Sequence, residues 1–252
     1  MSDESEILKN RFIELAKKSH GSGVFLFSDF LGLAEQSIFE SVKRELCGVK
    51  YSVFGGARGA ERVMIRFGDP DELFYEVPFP IATLKIEPKS QKFADKLTHR
   101  DFLGSLLNLG IERCVLGDII VRDNAAFVFI KEDMASYVCS ELFRVKHTDV
   151  NVSACDAPPD GELYKTEQKT VQISSERLDA IIARAYNLSR EDAQRLFIKR
   201  LVFASGKEIQ STSYTPKIGE KISVRGYGRF IYQGYQSSSK KGKLNVLLEL
   251  YV

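Results

Sequence analysis

The 252-residue sequence predicts an α+β protein built in three parts, and three observations predict it. Helical and strand-like apolar periods alternate along the chain. The stretch from Ile81 to Ala154 runs β-α-β-β-α-β, the order of a ferredoxin-like (RRM-like) plait. Charge divides unevenly: residues 1–176 carry 22 Lys+Arg and 28 Asp+Glu, residues 177–252 carry 14 and 6, so a net of +2 conceals −6 followed by +8. We therefore expect a helical N-terminal α/β module over 1–78, a plait over 79–158 and a basic domain over 175–252.

In the first part, Ile7, Leu8, Phe12, Ile13, Leu15 and Ala16 are spaced for a helix over Ser5–Lys18, interrupted at Gly21–Gly23. A second helix is expected from Gly32 to Leu46, ending at Gly48. Tyr51–Phe54 and Val63–Phe67 read as strands around a glycine-rich turn, and Asp69-Pro70-Asp71 as a turn or linker. In the plait, strands are expected over Ile81–Ile86, Cys114–Val121, Ala125–Ile130 and Val150–Ala154. Helices are expected over His99–Leu109, with Thr98 or Asp101 at its cap, and over Asp133–Val145. Asp123-Asn124 supplies the central hairpin turn. Breakers from Asp156 to Gly161 mark a connector.

The composition, 44% hydrophobic and 28% charged, argues against disorder. No apolar run approaches the roughly 20 residues that span a membrane. The polar N-terminus has no leader character, so a cytoplasmic protein with no membrane partner is expected. Cys47, Cys114, Cys139 and Cys155 lie far apart without a metal-site spacing. They read as reduced core thiols, and no metal or cofactor is expected. Monomer is the default state.

The basic part carries the functional signal. Ser174-Ser175 precedes a helix containing Arg177-Leu178-Asp179, and Ser189 is placed to cap a second helix from Arg190 to about Lys199. That helix interleaves Ala193, Leu196 and Phe197 with Arg190, Gln194, Arg195 and Lys199. Strands are expected over Leu201–Ala204, followed by a Ser205-Gly206 turn, over Lys221–Phe230 and over Leu244–Tyr251. Arginine pairs bidentately with phosphate, so a basic helix-and-strand surface suits nucleic acid. Gly226 and Gly228 leave room for a close approach. Tyr227 and Phe230 are candidates for stacking on a base or for a strand core.

The run Arg177-Leu-Asp, Leu188-Ser-Arg, Val202-x-x-Ser-Gly-Lys and Ile218-Gly-Glu-Lys-Ile-Ser-Val-Arg-Gly resembles an S4 RNA-binding domain over about 70 residues. Further motifs resemble the bacterial YlmH family over most of the chain. They are Arg225-Gly-x-Gly-Arg-Phe with Lys240-Lys-Gly-Lys, His99–Arg113 with Gly117-Asp-Ile, and Gly55-Gly-Ala-x-Gly-Ala-Glu-Arg. The resemblance implies a non-enzymatic factor bound to rRNA of the large ribosomal subunit. Its implied context is ribosome-associated quality control on subunits holding peptidyl-tRNA, with a link to cell division. The RNA contacts expected are Arg177, Arg190, Arg195, Lys199, Arg200, Lys207, Arg225, Arg229, Lys240, Lys241 and Lys243. One position departs from the S4 pattern: Arg200 stands where a glycine commonly follows the second helix. A left-handed Arg200 would cost on the order of 1 kcal/mol against glycine, so either the turn differs or the alignment slips by one.

Other chemistries compete for the same residues. Arg-Leu-Asp also surrounds the nucleophile of pseudouridine synthases, but Asp179 is placed as a first-turn helix residue with no synthase domain around it. His99-Arg100-Asp101 lacks the other kinase motifs, and Gly55-Gly56-x-x-Gly59 lacks the ending of a phosphate loop. Phe127-Val128-Phe129 lacks the Arg-Gly start of an RNA-recognition strand. The acidic balance of the N-terminal part argues against a second strong RNA surface there, and suits contact with a protein partner or orientation of the S4-like domain on a ribonucleoprotein. The rival function is an RNA-modifying enzyme, of pseudouridine synthase or methyltransferase type, with an appended S4 domain. A third is a scaffold for acidic proteins.

Overall fold

The computed structural model describes residues 3–46, 48–156, 163–239 and 242–251. The chain forms two compact units, Met1–Leu163 and Tyr164–Val252. In the first, helix α1 (Asp3–Ser22) leads to β1 (Leu26–Phe27), α2 (Leu33–Val42), β2 (Tyr51–Phe54), β3 (Met64–Phe67) and α3 (Pro70–Leu73). Phe12, Leu15 and Ala16 on one face of α1 bury against Phe39, Val42 and Phe67. This apolar face carries α1 through Gly21, past the expected interruption, and the left-handed Gly23 follows its end. The expected linker at Asp69 is instead a helix start. The Asp69 carboxylate accepts from the Asp71 amide, and Pro70 needs no donor in the first turn.

The second half of this unit runs β4 (Ile81–Pro88), α4 (His99–Asn108), β5 (Leu116–Arg122), β6 (Ala125–Lys131), α5 (Glu132–Glu141), β7 (Arg144–Val145) and β8 (Thr148–Cys155). The strands form an antiparallel sheet in the order β5-β6-β4-β8-β7. Thr98 and Asp101 close a reciprocal capping box on α4. Asp123 and Asn124 both have positive φ, as a two-residue hairpin turn of the primed type requires. Helix α5 ends at Glu141, short of the expected Val145, because Arg144 and Val145 pair with Asp149 and Thr148 instead.

One face of this sheet holds Leu84, Ile86, Val128 and Ile130 against Phe102, Leu106 and Val138 of the helices. The other face is also covered. Ile120, Phe127 and Phe129 bury under Phe30 and Met64 of the N-terminal part. The Gly55–Arg62 loop fastens this contact. Gly56, at φ +97°, lies on the Phe129 ring, where a Cβ would overlap it. The amides of Glu61 and Arg62 donate to Asp118 at 2.5 and 3.2 Å. The Arg62 guanidinium donates to the carbonyls of Phe30, Arg113 and Leu116 at 2.8–3.0 Å. The glycine-rich segment is thus a structural clamp, and the Phe127–Phe129 aromatics have no free ring face.

The second unit runs β9 (Thr166–Ile173), α6 (Leu178–Ala185), α7 (Arg190–Ile198), β10 (Val202–Ala204), β11 (Lys207–Glu208), β12 (Glu220–Val224), β13 (Gly228–Ser238) and β14 (Leu244–Tyr251). Its sheet has the order β11-β10-β12-β13-β14-β9, and every pairing is antiparallel. Leu178, Ile181, Ile182, Leu196 and Phe197 of the helices share one core with Ile222, Phe230, Val246 and Leu248 of the strands. The unit begins ahead of residue 175 because β9, which no motif or apolar period marks in the sequence, pairs with β14 along its whole length. Ser205 and Gly206 form the expected turn, both at positive φ. Cys114, Cys139 and Cys155 are half-buried and free, and burial raises each thiol's pKa. Cys47 lies outside the described residues.

Candidate nucleic-acid interface

The helical hairpin α6–α7 is set by local chemistry. Arg177, not Ser174 or Ser175, occupies the N-cap of α6, and Leu178 and Ile181 then fall on the core side. Asn187, at φ +54°, turns the chain between the helices, a conformation its short amide side chain tolerates. Ser189 caps α7 as expected: its Oγ accepts from the Asp192 amide at 3.0 Å and donates to the Asp192 carboxylate at 2.6 Å.

Between the helices lies a wholly buried carboxylate, Asp179. The Arg177 guanidinium donates to both its oxygens, at 3.1 and 3.0 Å, and also reaches Thr212 Oγ1 at 3.3 Å. Gln194 of α7 donates to Oδ2 at 3.1 Å and the Ala180 amide to Oδ1 at 2.9 Å. Arg190 approaches the same carboxylate at 3.7 Å while its side chain stays 61% exposed. Burial pushes the Asp179 carboxyl up, but the Arg177 and Gln194 hydrogen bonds and the Arg177 charge outweigh it and hold its pKa below the usual carboxylate range. Asp179 thereby ties the Arg177 guanidinium and, through Gln194, helix α7 to one point of α6. Its acceptor capacity is spent on these donors and it has no exposed surface, so it is not placed to act as a nucleophile.

The remaining candidates fall into distinct environments. Arg195 is paired on its own helix, at 2.6 Å from Glu191 and 3.6 Å from Asp192. Lys199 closes α7 and is exposed. Arg200 follows at φ +55°, so it does occupy the left-handed position usually filled by glycine, and its guanidinium lies 3.7 Å from Glu208. Lys207 is exposed on the edge strand β11. The Arg225 amide bonds the Leu201 carbonyl at 2.9 Å, and its guanidinium lies 4.4 Å from the centre of the Phe203 ring. Lys199, Arg200 and Arg225 thus gather where α7 enters β10. Arg229 is half-buried and stacked on Tyr251 at 4.6 Å. Lys243 is exposed ahead of β14, and Lys240 and Lys241 lie outside the described residues. Phe230 belongs to the core, whereas Tyr227 is 46% exposed.

Sequence reasoning places Asp179 in the first turn of α6 but misses its role. A signal is present: Asp179 stands inside an apolar run, Leu178 and Ala180–Ala183, where a charge requires a partner. Arg184 has no motif around it to mark it; it is exposed at the last turn of α6. Among the described residues no cluster is suited to hold a metal ion, and no helix is long and apolar enough to cross a membrane.

Residues 76–158 match the family model described as "Putative RNA-binding domain in YlmH". The match falls in the first unit, in the acidic part where charge argues against an RNA surface, whereas the RNA contacts expected from sequence lie in the basic residues 177–252. Over 240 residues it is 28% identical to the "Ribosome-associated protein quality control protein P2" of Bacillus subtilis (strain 168), covering 88% of this chain and 86% of that protein. The chain is thus similar to the YlmH family over residues 76–158 and to that quality-control protein over most of its length. Among solved structures, the "Cell division protein ylmH from Streptococcus pneumoniae" aligns with a TM-score of 0.49 and 23% identity, over 62% of this chain and 93% of that one.

Proposed function

We propose that this chain is a non-enzymatic RNA-binding protein that docks on structured rRNA of the large ribosomal subunit as a quality-control factor. The observation that carries the reading is the Asp179 network, which holds Arg177 by two hydrogen bonds beside the exposed Arg190 at the α6–α7 hairpin. A pre-set guanidinium loses little freedom on meeting a phosphate, which favours affinity. The helix-hairpin-then-strands order of the second unit supports an S4-like domain over 175–252. The β5-β6-β4-β8 order supports a ferredoxin-like plait over 79–158, with the N-terminal module over 1–78 packed on its sheet. The name of the Bacillus subtilis relative supports the ribosome as the partner. Peptidyl-tRNA is a second RNA within reach of such a factor, and a protein partner for the acidic N-terminal part is consistent with its charge.

Sedimentation of the tagged chain through a sucrose gradient of bacterial lysate, at low and high salt, tests this. Migration with the large subunit that disappears at high salt is expected. Protein that stays at the top of both gradients removes the ribosome from the proposal.

A further inference from the structure

A concave cleft of about 410 Å³ opens between α6, the start of α7, the end of β9 and the segment ahead of β14. Three cations from three places in the chain line it: Arg184, Arg190 and Lys243. Gln172 and Ser174 add polar groups, and Leu188 forms part of an apolar wall. No carboxylate is among the described residues that line it. The acids that follow Arg190, Glu191 and Asp192, are engaged by Arg195 and Ser189. Asp179, 3.7 Å from Arg190, is wholly buried and already hydrogen-bonded by Arg177, so the three cations around one cavity together favour an anionic occupant. The volume exceeds what an isolated phosphate needs and lies within the range of small-ligand sites.

We propose that this cleft seats one sugar–phosphate unit of the bound RNA strand. The phosphate is held by Arg184, Arg190 and Lys243, and the sugar lies against Leu188. Arg184, which has no counterpart among the contacts expected from sequence, is thereby an RNA-contacting residue. The inference rests on the RNA-docking reading above and adds to it the place where a phosphate is held. Two arginines and a lysine are a suitable set, because guanidinium groups fork onto phosphate oxygens while the ammonium acts as a compact charge.

The test uses the full-length chain, fluorescently labelled and titrated with purified large-subunit rRNA between about 50 and about 200 mM salt. Arg184→Glu is expected to weaken binding about tenfold and to make the slope of log K against log salt shallower by roughly 0.7, the share of one phosphate that is no longer neutralised. Arg184→Lys, which keeps the charge, is expected to retain most of the slope. Arg190→Glu is the reference for the docking reading itself. An unchanged slope for Arg184→Glu beside a flattened one for Arg190→Glu overturns the cleft and leaves RNA docking in place. Unchanged slopes in both overturn the two together. If Arg184→Glu abolishes retention of inorganic phosphate without moving the rRNA slope, the cleft is a free-phosphate site and the proposal fails.

Discussion

Arg177 and Asp179 meet fork to fork, Nε to Oδ1 at 3.1 Å and Nη2 to Oδ2 at 3.0 Å, with the carboxylate wholly buried and the guanidinium reaching the surface. Removing the carboxylate's charge weakens the charge-assisted hydrogen bond it accepts from Gln194, while the Arg177 guanidinium can turn to water. Asp179→Asn is therefore expected to lower the stability of the second unit by about 1.5 kcal/mol in urea unfolding, the scale of one hydrogen bond to a charged group. It should also weaken RNA binding by releasing Arg177 and Arg190. The pH dependence has a defined sign. The folded-state pKa of Asp179 is depressed, so its stabilisation is present above the ordinary carboxylate pKa and disappears as pH falls through the folded value. Wild type should lose stability over that acid range, and Asp179→Asn should lose less there. Equal acid sensitivity in both would remove Asp179 from the account.

Arg190 and Arg195 lie on different faces of α7 and are expected to behave differently. Arg195 already shares its charge with Glu191 and Asp192, whereas Arg190, 61% exposed, approaches Asp179 alone among the described residues, at 3.7 Å. Arg190→Ala should weaken rRNA binding about tenfold, the scale of one charge-assisted contact. Arg195→Ala should change it by less than about threefold, since the Glu191 and Asp192 carboxylates beside it offset its charge toward a phosphate. Fluorescence anisotropy on both variants separates them, and a larger effect at Arg195 would reverse the assignment.

Arg200 holds φ +55° without being glycine. Arg200→Gly should raise stability by about 0.5–1 kcal/mol, partly offset by the greater freedom of an unfolded glycine. Its exposed pairing with Glu208, at 3.7 Å, is too weak to reverse this. Thermal unfolding should show a higher Tm together with weaker RNA binding. A lower Tm would mean that the guanidinium, rather than the backbone, decides the position.

Gly56 sits at φ +97° with the Phe129 ring where its side chain would be. Gly56→Ala adds a methyl to a filled space in a backbone conformation that alanine resists. It is expected to destabilise the first unit by about 2–3 kcal/mol. Gly59→Ala is the comparison: its φ is +86°, but a Cβ there meets nothing within 4 Å, so only the backbone cost of about 1 kcal/mol applies. Denaturant unfolding that ranks the two in the opposite order would contradict the clamp.

The sequence is legible where local chemistry decides the outcome. Ser189 before Arg190-Glu191-Asp192 announces a capped helix, and Asp123-Asn124 and Ser205-Gly206 announce their turns. What escapes depends on contacts between distant residues. Strand β9 is polar along one face and gains its identity only from pairing with β14. Helix α5 yields Arg144-Val145 to a strand partner that no local period reveals. At the interface, the basic residues of α7 can be read directly. The division between a shared Arg195 and an outward Arg190 cannot, because it depends on how Asp179 is buried. Arg184 belongs with Arg190 and Lys243 only once the chain is folded.

The most direct measurement is the affinity of the full-length chain for purified large ribosomal subunits as a function of salt, for wild type and for Arg190→Glu. With about five phosphates neutralised, log K should fall against log salt with a slope of roughly −3.5 for wild type. The folded variant should bind more weakly with a visibly flatter slope. A folded Arg190→Glu protein that binds with the affinity and slope of wild type would contradict the α6–α7 surface as the place where RNA is held.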